Sequence, residues 1–240
     1  MASSVLFEVA DHTAVITLNR PEKRNAISQD LLMNLYNYLE RISNDPEIRV
    51  GIITGAGDSF CAGLDLSRLT TDNLLDPRGD GRDLFDILAT VEKPIIGAVN
   101  GHAITGGFEL ALNCDFLIAS ENASFADTHA KVGIHPGWGM TQLLQKAVGI
   151  RMAKQMSFTC KFFSAQEMLA AGLVNEVVPK EQLMPRCREI AGDIAAVNQE
   201  MLGVVKKLIE AGGAGTLETG LRRERDGFME FLRKSGVLKK

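Results

Sequence analysis

The segment Asn100-Gly-His-Ala-Ile-Thr-Gly-Gly-Phe-Glu109 combines two features that suit chemistry on a carbonyl compound. A strand-like run ends before it and a helix is expected from about Gly107. Gly106 and Gly107 therefore fall in a first helical turn, where backbone N–H groups have no intrahelical acceptor and suit an anion or a developing oxyanion. Glu109 follows Gly106 by three residues, on the same side of the helix. The spacing predicts a carboxylate beside an open N–H donor, as proton abstraction next to a carbonyl requires.

A second glycine-containing turn is Ser59-Phe-Cys-Ala-Gly-Leu-Asp-Leu66, in which Gly63 lets the backbone adopt an unusual conformation. Taken alone, neither segment decides between two interpretations. A Gly-Gly pair before a helix also serves close packing, and a glutamate in a first turn also complements the helix dipole. Both interpretations stay open at the level of these residues.

Other chemistries lack their patterns. The sequence contains no GxGxxG after a strand, no GxxxxGK[ST], no GxSxG and no HExxH. His129 and His135 are six residues apart, which is not the spacing of metal ligands on a helix, so we expect no metal site.

Composition excludes several further classes. The 240 residues are 45% hydrophobic and 23% charged, with a net charge of −4, so no positive field attracts nucleic acid or anionic lipid. No run of about 18 apolar residues predicts a membrane span, and the first residues lack the pattern of a secretory signal. The four cysteines form no CxxC pair, which favours reduced thiols and a cytoplasmic location.

The chain is expected to alternate strands and helices, which predicts an α/β fold. Strands are expected at residues 5–9, 14–18, 50–54, 95–99, 116–119 and 173–179. Ser28 is expected to cap a helix, and Ser164 with Glu167 forms a capping box for another that stops at Gly172. The polar, Gly/Pro-bearing residues 70–82 predict a mobile loop beside a site. From Lys180 onward the pattern is only helical.

Five segments together resemble the crotonase (enoyl-CoA hydratase/isomerase) superfamily, in its order and approximate spacing over nearly the whole chain. They are Leu18-Asn-Arg-Pro21 with Asn25-Ala26, Phe60-Cys-Ala-Gly-Leu-Asp65, Asn100-Gly-His-Ala-Ile-Thr-Gly-Gly-Phe-Glu-Leu110, Pro136-Gly137 and Gly172-Leu-Val-Asn-Glu-Val-Val-Pro179. The resemblance implies a core of repeated ββα units (residues 1–195) and a C-terminal helical lobe (residues 196–240). That lobe would support a homotrimer or a dimer of trimers.

The resemblance also implies an oxyanion hole in which the N–H groups of Leu64 and Gly106 polarise the carbonyl of an acyl-CoA thioester. Further residues are implied to contact the substrate or its coenzyme A moiety. They are Lys23, Arg24, Ala26, Ala62, Asp65 and Leu66, with Phe231 and Lys234 reaching the coenzyme A of a neighbouring subunit. The alternative for the last two is a solvated helix face. Phe85, Ile134 and Trp138 are further candidates for the pocket lining.

The sequence departs from the family pattern at one catalytic position. The family's hydratases use two glutamates; Glu109 matches the first, whereas His129 stands at the second. Histidine can act as an acid or a base near neutral pH. The alternative is that His129 only fills the pocket while Glu109 works alone. Asp127 is a weaker candidate, for which a structural role is expected.

These inferences predict an enoyl-CoA hydratase-like lyase that stabilises a thioester enolate and uses Glu109 as acid and base. No separate cofactor is expected, because coenzyme A is part of the substrate. The alternatives are a Δ3,Δ2-enoyl-CoA isomerase, a CoA-thioester hydrolase or C–C lyase of the same superfamily, and a non-catalytic CoA-binding paralogue.

Overall fold

The structure is a computed structural model that describes residues 3–235. Within these residues the chain forms ten strands and nine α-helices. The strands are β1 (Val5–Ala10), β2 (Thr13–Leu18), β3 (Val50–Gly55), β4 (Ser59–Cys61), β5 (Ile95–Val99), β6 (His102–Ile104), β7 (Phe116–Ser120), β8 (Ser124–Ala126), β9 (Phe163–Ser164) and β10 (Glu176–Val178). The helices are α1 (Gln29–Asn44), α2 (Leu84–Ala89), α3 (Gly106–Leu112), α4 (His129–Val132), α5 (Met140–Thr159), α6 (Ala165–Ala170), α7 (Leu183–Ala196), α8 (Gln199–Gly213) and α9 (Leu217–Lys234).

The strands form two sheets. The six-stranded sheet has the order β1-β2-β3-β5-β7-β10 and is parallel except for the hairpin of β1 and β2. The four-stranded sheet has the order β4-β6-β8-β9, in which β4, β6 and β8 are parallel neighbours. Three successive strand pairs, β3/β4, β5/β6 and β7/β8, each place their first strand in the large sheet and their second in the small one. This repetition, with a helix after each pair, confirms the expected α/β crotonase-type core.

Side chains alternate across the large sheet, and both faces are covered. Val15, Ile52 and Ile96 occupy paired positions on β2, β3 and β5 and pack against buried residues of α7. Their neighbours Ile16 and Ile53 point to the opposite face, where they join the larger core with α1. Because both faces are buried, these strands are the nearly continuous apolar runs of the sequence.

Local signals in the sequence correctly predict several element boundaries. Ser28 caps α1, with its hydroxyl accepting a hydrogen bond from the Leu31 N–H at 3.3 Å. Ser164 and Glu167 form the expected capping box at α6, which ends at Ala170, two residues before the expected stop at Gly172. The hairpin and the four parallel strands β3, β5, β7 and β10 lie where the apolar runs predict them.

The chain divides into two compact units, Met1–Ala196 and Val197–Lys240. The boundary lies one residue after the one expected from sequence. The described part of the second unit consists of α8 and α9, both amphipathic, with side-chain caps from Asn198 and Thr216. None of the helices in the described part of the chain has the length and apolar composition needed to cross a lipid bilayer.

Candidate active site

The carboxyl ends of three neighbouring parallel strands meet at one edge of the small sheet. Leu64 follows β4, Gly106 follows β6 and His129 follows β8, so residues far apart in sequence converge there. They open on a cavity of about 420 Å³. Its walls are formed by Ala62, Leu64, Leu66, Leu69, Asp72, Asn73, Leu74, Leu75, Thr105, Gly106, Glu109, Thr128, His129, Val132, Ile134, His135, Gly137 and Trp138.

Two backbone N–H groups at this cavity lack an internal acceptor. Within residues 3–235, neither the Leu64 nor the Gly106 N–H donates to a backbone or side-chain oxygen, although their neighbours Asp65 and Thr105 do. Their segments lie side by side. A Cβ atom added to Gly63 would be only 3.2 Å from the Gly106 nitrogen. Two donors fixed in advance beside one cavity can bind an oxyanion without reorganisation.

The backbone around both donors is in conformations that few residues adopt. Gly63 has φ +88°, which glycine tolerates, but Thr105 has φ +51° with ψ −114°, an unfavourable combination for a residue with a Cβ. The Thr105 hydroxyl is hydrogen-bonded to that of Thr128 at 2.5 Å, which holds the turn to the end of β8. Helix α3 begins directly after this turn at Gly106, which lines the cavity.

The glycine pair that begins α3 agrees with both roles that the sequence leaves open, close packing and an open N–H donor. A Cβ on Gly107 would lie 2.1 Å from the Cys61 carbonyl oxygen, so Gly107 permits the close packing of α3 on β4. Gly106 keeps the open N–H group. The close packing of Gly107 therefore determines where the Gly106 N–H group lies.

Glu109 is almost fully buried, with 2% of its surface exposed, and its carboxylate is held at one oxygen. Oε1 accepts hydrogen bonds from the backbone N–H groups of Trp138 at 2.9 Å and Met140 at 3.1 Å. Oε2 lies 3.6 Å from Nε2 of His129. One carboxylate oxygen is thus anchored, and the other faces the histidine at the cavity wall.

His129 lies between two carboxylates. Its Nδ1 is 2.7 Å from Oδ1 of Asp127, and its Nε2 faces Glu109. Burial by itself lowers the pKa of His129, but the hydrogen bonds and charges of Asp127 and Glu109 outweigh it and raise the pKa from 6.5 to about 9. The two carboxyl groups therefore favour the protonated ring, whose second proton is carried by the nitrogen nearest Glu109.

The raised pKa of His129 makes folding stability depend on pH. The protonated ring contributes its full stabilisation below pH about 6.5, and this is lost as pH rises through about 9. We expect the urea midpoint of wild type to fall over this range by more than that of His129→Asn, whose amide can still donate to Asp127 but does not titrate. Urea unfolding at both ends of the range measures the difference. Parallel pH dependence in the two proteins would contradict the assignment.

The residues expected to contact coenzyme A include a segment beside the turn of Leu64 and two residues of the cavity wall. The Ala62 N–H donates to the Arg24 carbonyl at 3.0 Å, so the segment of Lys23, Arg24 and Ala26 lies along the turn that carries the Leu64 N–H. Ala62 and Leu66 themselves line the cavity.

Asp65 is not among the residues that line the cavity, and its expected contact with the substrate stays a prediction. Its carboxylate is buried, pairs with the Arg20 guanidinium at 3.0 Å and accepts a hydrogen bond from the Ser67 hydroxyl at 2.6 Å. The Ser67 bond, opposed by burial and reinforced by Arg20, keeps the pKa of Asp65 below its usual range. Asp65 therefore holds the turn in place.

Two further groups of sequence candidates have different outcomes. Trp138 and Ile134 line the cavity, whereas Phe85 is exposed on α2 and is not among the lining residues. Phe231 and Lys234 lie on α9 in the second unit, where Lys234 pairs with Glu230 at 2.7 Å. Their contact with a neighbouring subunit stays a prediction.

The loop of residues 70–82 forms one wall of the cavity, as its position in the sequence suggested. The Gln29 side chain donates to the Pro77 carbonyl at 2.8 Å and accepts from the Asn73 N–H at 3.1 Å, and Arg78 pairs with Glu40 at 2.8 Å. These contacts with α1 restrain the loop, and its mobility stays a prediction.

Sequence reasoning missed three contributors to the site. They are Thr105, the Met140 N–H that anchors Glu109, and the leucines of the loop wall, Leu69, Leu74 and Leu75. Only the leucines carry a signal, as isolated apolar residues in a polar loop. Among the residues that the structure describes, no cluster of three or more potential metal ligands occurs.

Two packed sheets of ββα units, with paired open N–H groups beside a buried glutamate, define a protein of the crotonase fold class. The family model for enoyl-CoA hydratase/isomerase matches residues 8–239. This chain belongs to that family.

Individual relatives agree with the assignment. A short-chain-enoyl-CoA hydratase of Clostridium acetobutylicum is 40% identical over 232 residues, covering 95% of this chain and 89% of that protein. A crotonyl-CoA hydratase of Syntrophomonas wolfei is 37% identical, covering 94% and 88%. The crystal structure of an enoyl-CoA hydratase subunit I from Geobacillus kaustophilus has a TM-score of 0.88 at 32% identity, covering 98% of this chain and 93% of that one.

Proposed function

We propose that this protein adds water across the double bond of a 2-enoyl-CoA thioester, with Glu109 as base and His129 as acid. One observation carries the proposal: the buried Glu109 carboxyl group and the His129 ring lie 3.6 Å apart on the wall of a cavity that Leu64 and Gly106 also line. Relatives named as enoyl-CoA and crotonyl-CoA hydratases support the same reaction class.

The thioester carbonyl would bind at the Leu64 and Gly106 N–H groups. Conjugation carries electron density from the attacked β-carbon to this oxygen, so an enolate forms there as water adds. Each such donor is typically worth about a hundredfold to a thousandfold in turnover. Ala62 and the adjoining segment of Arg24 and Ala26 would lie along the coenzyme A moiety.

The two side chains would move the two protons of the addition. Glu109 takes a proton from water as the new C–O bond forms at the β-carbon, and the carbon–carbon π electrons move into the enolate. His129 then gives its Nε2 proton to the α-carbon as the carbonyl re-forms. Transfer of the proton from Glu109 to His129 across their 3.6 Å separation restores the starting state.

The cavity favours an uncharged, apolar acyl group. Beyond the reacting groups its walls are mainly leucine, valine, isoleucine and tryptophan side chains. Two of these, Leu75 and Leu66, are 71% and 54% exposed, so a bound acyl group could cover them. Each buried methylene contributes about 0.8 kcal/mol, or about fourfold in affinity. We expect a higher kcat/KM for 2-hexenoyl-CoA than for a carboxylate-terminated 2-enoyl-CoA of equal length. A preference for the charged substrate would contradict this expectation.

Hydration of crotonyl-CoA, followed by loss of the conjugated thioester absorbance, tests the proposed function. Purified wild type is expected to consume the absorbance and to form 3-hydroxybutyryl-CoA. If no 2-enoyl-CoA is hydrated but 3-enoyl-CoA is converted to the conjugated isomer, the protein is an isomerase, since a single base can serve that reaction. Release of free coenzyme A would indicate a hydrolase instead. Binding of thioesters without any turnover would indicate a non-catalytic paralogue.

We also propose a homotrimer or a dimer of trimers, built with the second unit. Exposed apolar side chains on α8 and α9, among them Ile209, Leu221 and Phe228, support a role in assembly. In that arrangement Phe231 and Lys234 would reach the coenzyme A of a neighbouring subunit, where the ammonium group can pair with phosphate.

A further inference from the structure

We propose that Asp127 is a positioning residue for the acid–base pair: it fixes the His129 ring so that Nε2–H points at Glu109 and the cavity. The inference rests on the proposed function, in which His129 supplies the α-carbon proton. It assigns a role to a carboxylate that neither lines the cavity nor belongs to the pair of reacting groups.

The geometry at Asp127 is specific to the ring and not only to the chain. A single oxygen, Oδ1, accepts from the backbone N–H of His129 at 3.1 Å and from its Nδ1 at 2.7 Å. The first contact forms a turn after β8, as aspartate commonly does. The second occupies the Nδ1 nitrogen of the ring with a buried hydrogen-bond partner. With Nδ1 occupied, Nε2 is the nitrogen left for chemistry.

Burial makes this contact effective. Asp127 is 3% exposed and His129 is 6% exposed, so water does not compete freely for either partner. Two titratable groups face the ring, Asp127 at the end of β8 and Glu109 on α3. Burial would raise the pKa of Asp127, but hydrogen bonds from His129 and from Ser157 on α5 lower it below its usual range. The carboxylate is therefore charged wherever His129 can titrate.

Two substitutions separate orientation from charge. In Asp127→Asn the amide oxygen can accept the same two hydrogen bonds, so the ring keeps its orientation but loses a facing charge. Loss of such a charge lowers a histidine pKa by about one to three units. In Asp127→Ala the ring loses both the charge and the contact that orients it.

The experiment combines a histidine NMR titration with a pH profile of crotonyl-CoA hydration. The His129 resonance is identified by its absence in His129→Asn. We expect the His129 pKa of Asp127→Asn to fall by at least about one unit, and the alkaline limb of kcat to move by the same amount. Asp127→Ala is expected to lose at least about tenfold in kcat at every pH, with a smaller change in KM. Asp193→Asn, an exposed substitution on α7, is the control and should change neither readout.

An unchanged His129 pKa in Asp127→Asn would overturn the proposal. So would a shifted pKa with an unshifted kcat profile, because Asp127 would then not act on turnover through the ring. Asp127→Asn is isosteric, so its His129 pKa and kcat profile still test whether the Asp127–Nδ1 contact acts on turnover if Asp127→Ala does not fold. The titration needs no substrate, so wild type that hydrates nothing would defeat the proposed function alone. The NMR result would still decide whether Asp127 holds His129.

Discussion

Replacement of Glu109 by glutamine is expected to lower kcat for enoyl-CoA hydration at least about a hundredfold, the usual weight of a general base, with little change in KM. The amide cannot take a proton from water at neutral pH. Its oxygen can still accept from the Trp138 and Met140 N–H groups that now bind Oε1, so the local fold is expected to survive. The loss should therefore lie in the chemical step.

The measurement is steady-state hydration of crotonyl-CoA by Glu109→Gln beside wild type and Glu121→Gln, which removes an exposed carboxylate after β7. Because Glu109 is one of two carboxylates that raise the pKa of His129, the variant should also lose activity at lower pH than wild type does. A full pH profile separates this effect from the loss of the base. If Glu109→Gln has the same kcat as wild type at the pH optimum, Glu109 is not part of the mechanism.

The fold could be predicted where the sequence pattern is local. The apolar runs of β3, β5 and β7 and the caps at Ser28 and Ser164 are set by near neighbours in the chain, and they appear where the pattern placed them. The Leu64 and Gly106 positions came from the resemblance together with helix-terminus physics. The structure adds why they meet: β4, β6 and β8 are parallel neighbours.

The remainder of the site depends on contacts between distant residues. The ion pair of Asp65 with Arg20, 45 residues away, cannot be recognised from the turn itself. Thr105 gives no signal of its positive φ, since threonine rarely adopts one. Leu74 and Leu75 line the cavity from a loop that Gln29 and Arg78 hold to α1. None of these outcomes follows from local propensity.

His129 in place of a second glutamate is consistent with the electrostatics of hydration. His129 lies against two carboxyl groups, those of Glu109 and Asp127, and their hydrogen bonds and charges raise its pKa. Burial disfavours a charge that has no compensating partner. The histidine therefore requires a compensating carboxylate, and the buried Asp127 provides it. The exchange keeps one proton donor and one acceptor facing the cavity.

A second large loss of turnover is expected from Gly63→Ala. This variant tests the N–H groups of Leu64 and Gly106, which belong to the backbone and cannot be removed by a side-chain substitution. Gly63 has φ +88°, and an added Cβ would lie 2.9 Å from the Ile104 carbonyl oxygen and 3.2 Å from the Gly106 nitrogen. The methyl group must push the two donor segments apart. Displacing one oxyanion donor typically costs about a hundredfold to a thousandfold in kcat, and we expect a loss of that order.

Gly149→Ala is the matched control for Gly63→Ala. Gly149 also has positive φ, at +78°, but a Cβ there meets nothing within 4 Å, and it lies at the break in α5 outside the cavity. Both variants carry the backbone penalty of an alanine in this region, so both should lower the melting temperature. Only Gly63→Ala should lose turnover among the molecules that remain folded. If both retain wild-type kcat, the Leu64 and Gly106 N–H groups do not stabilise the enolate, and the thioester carbonyl must bind elsewhere in the cavity.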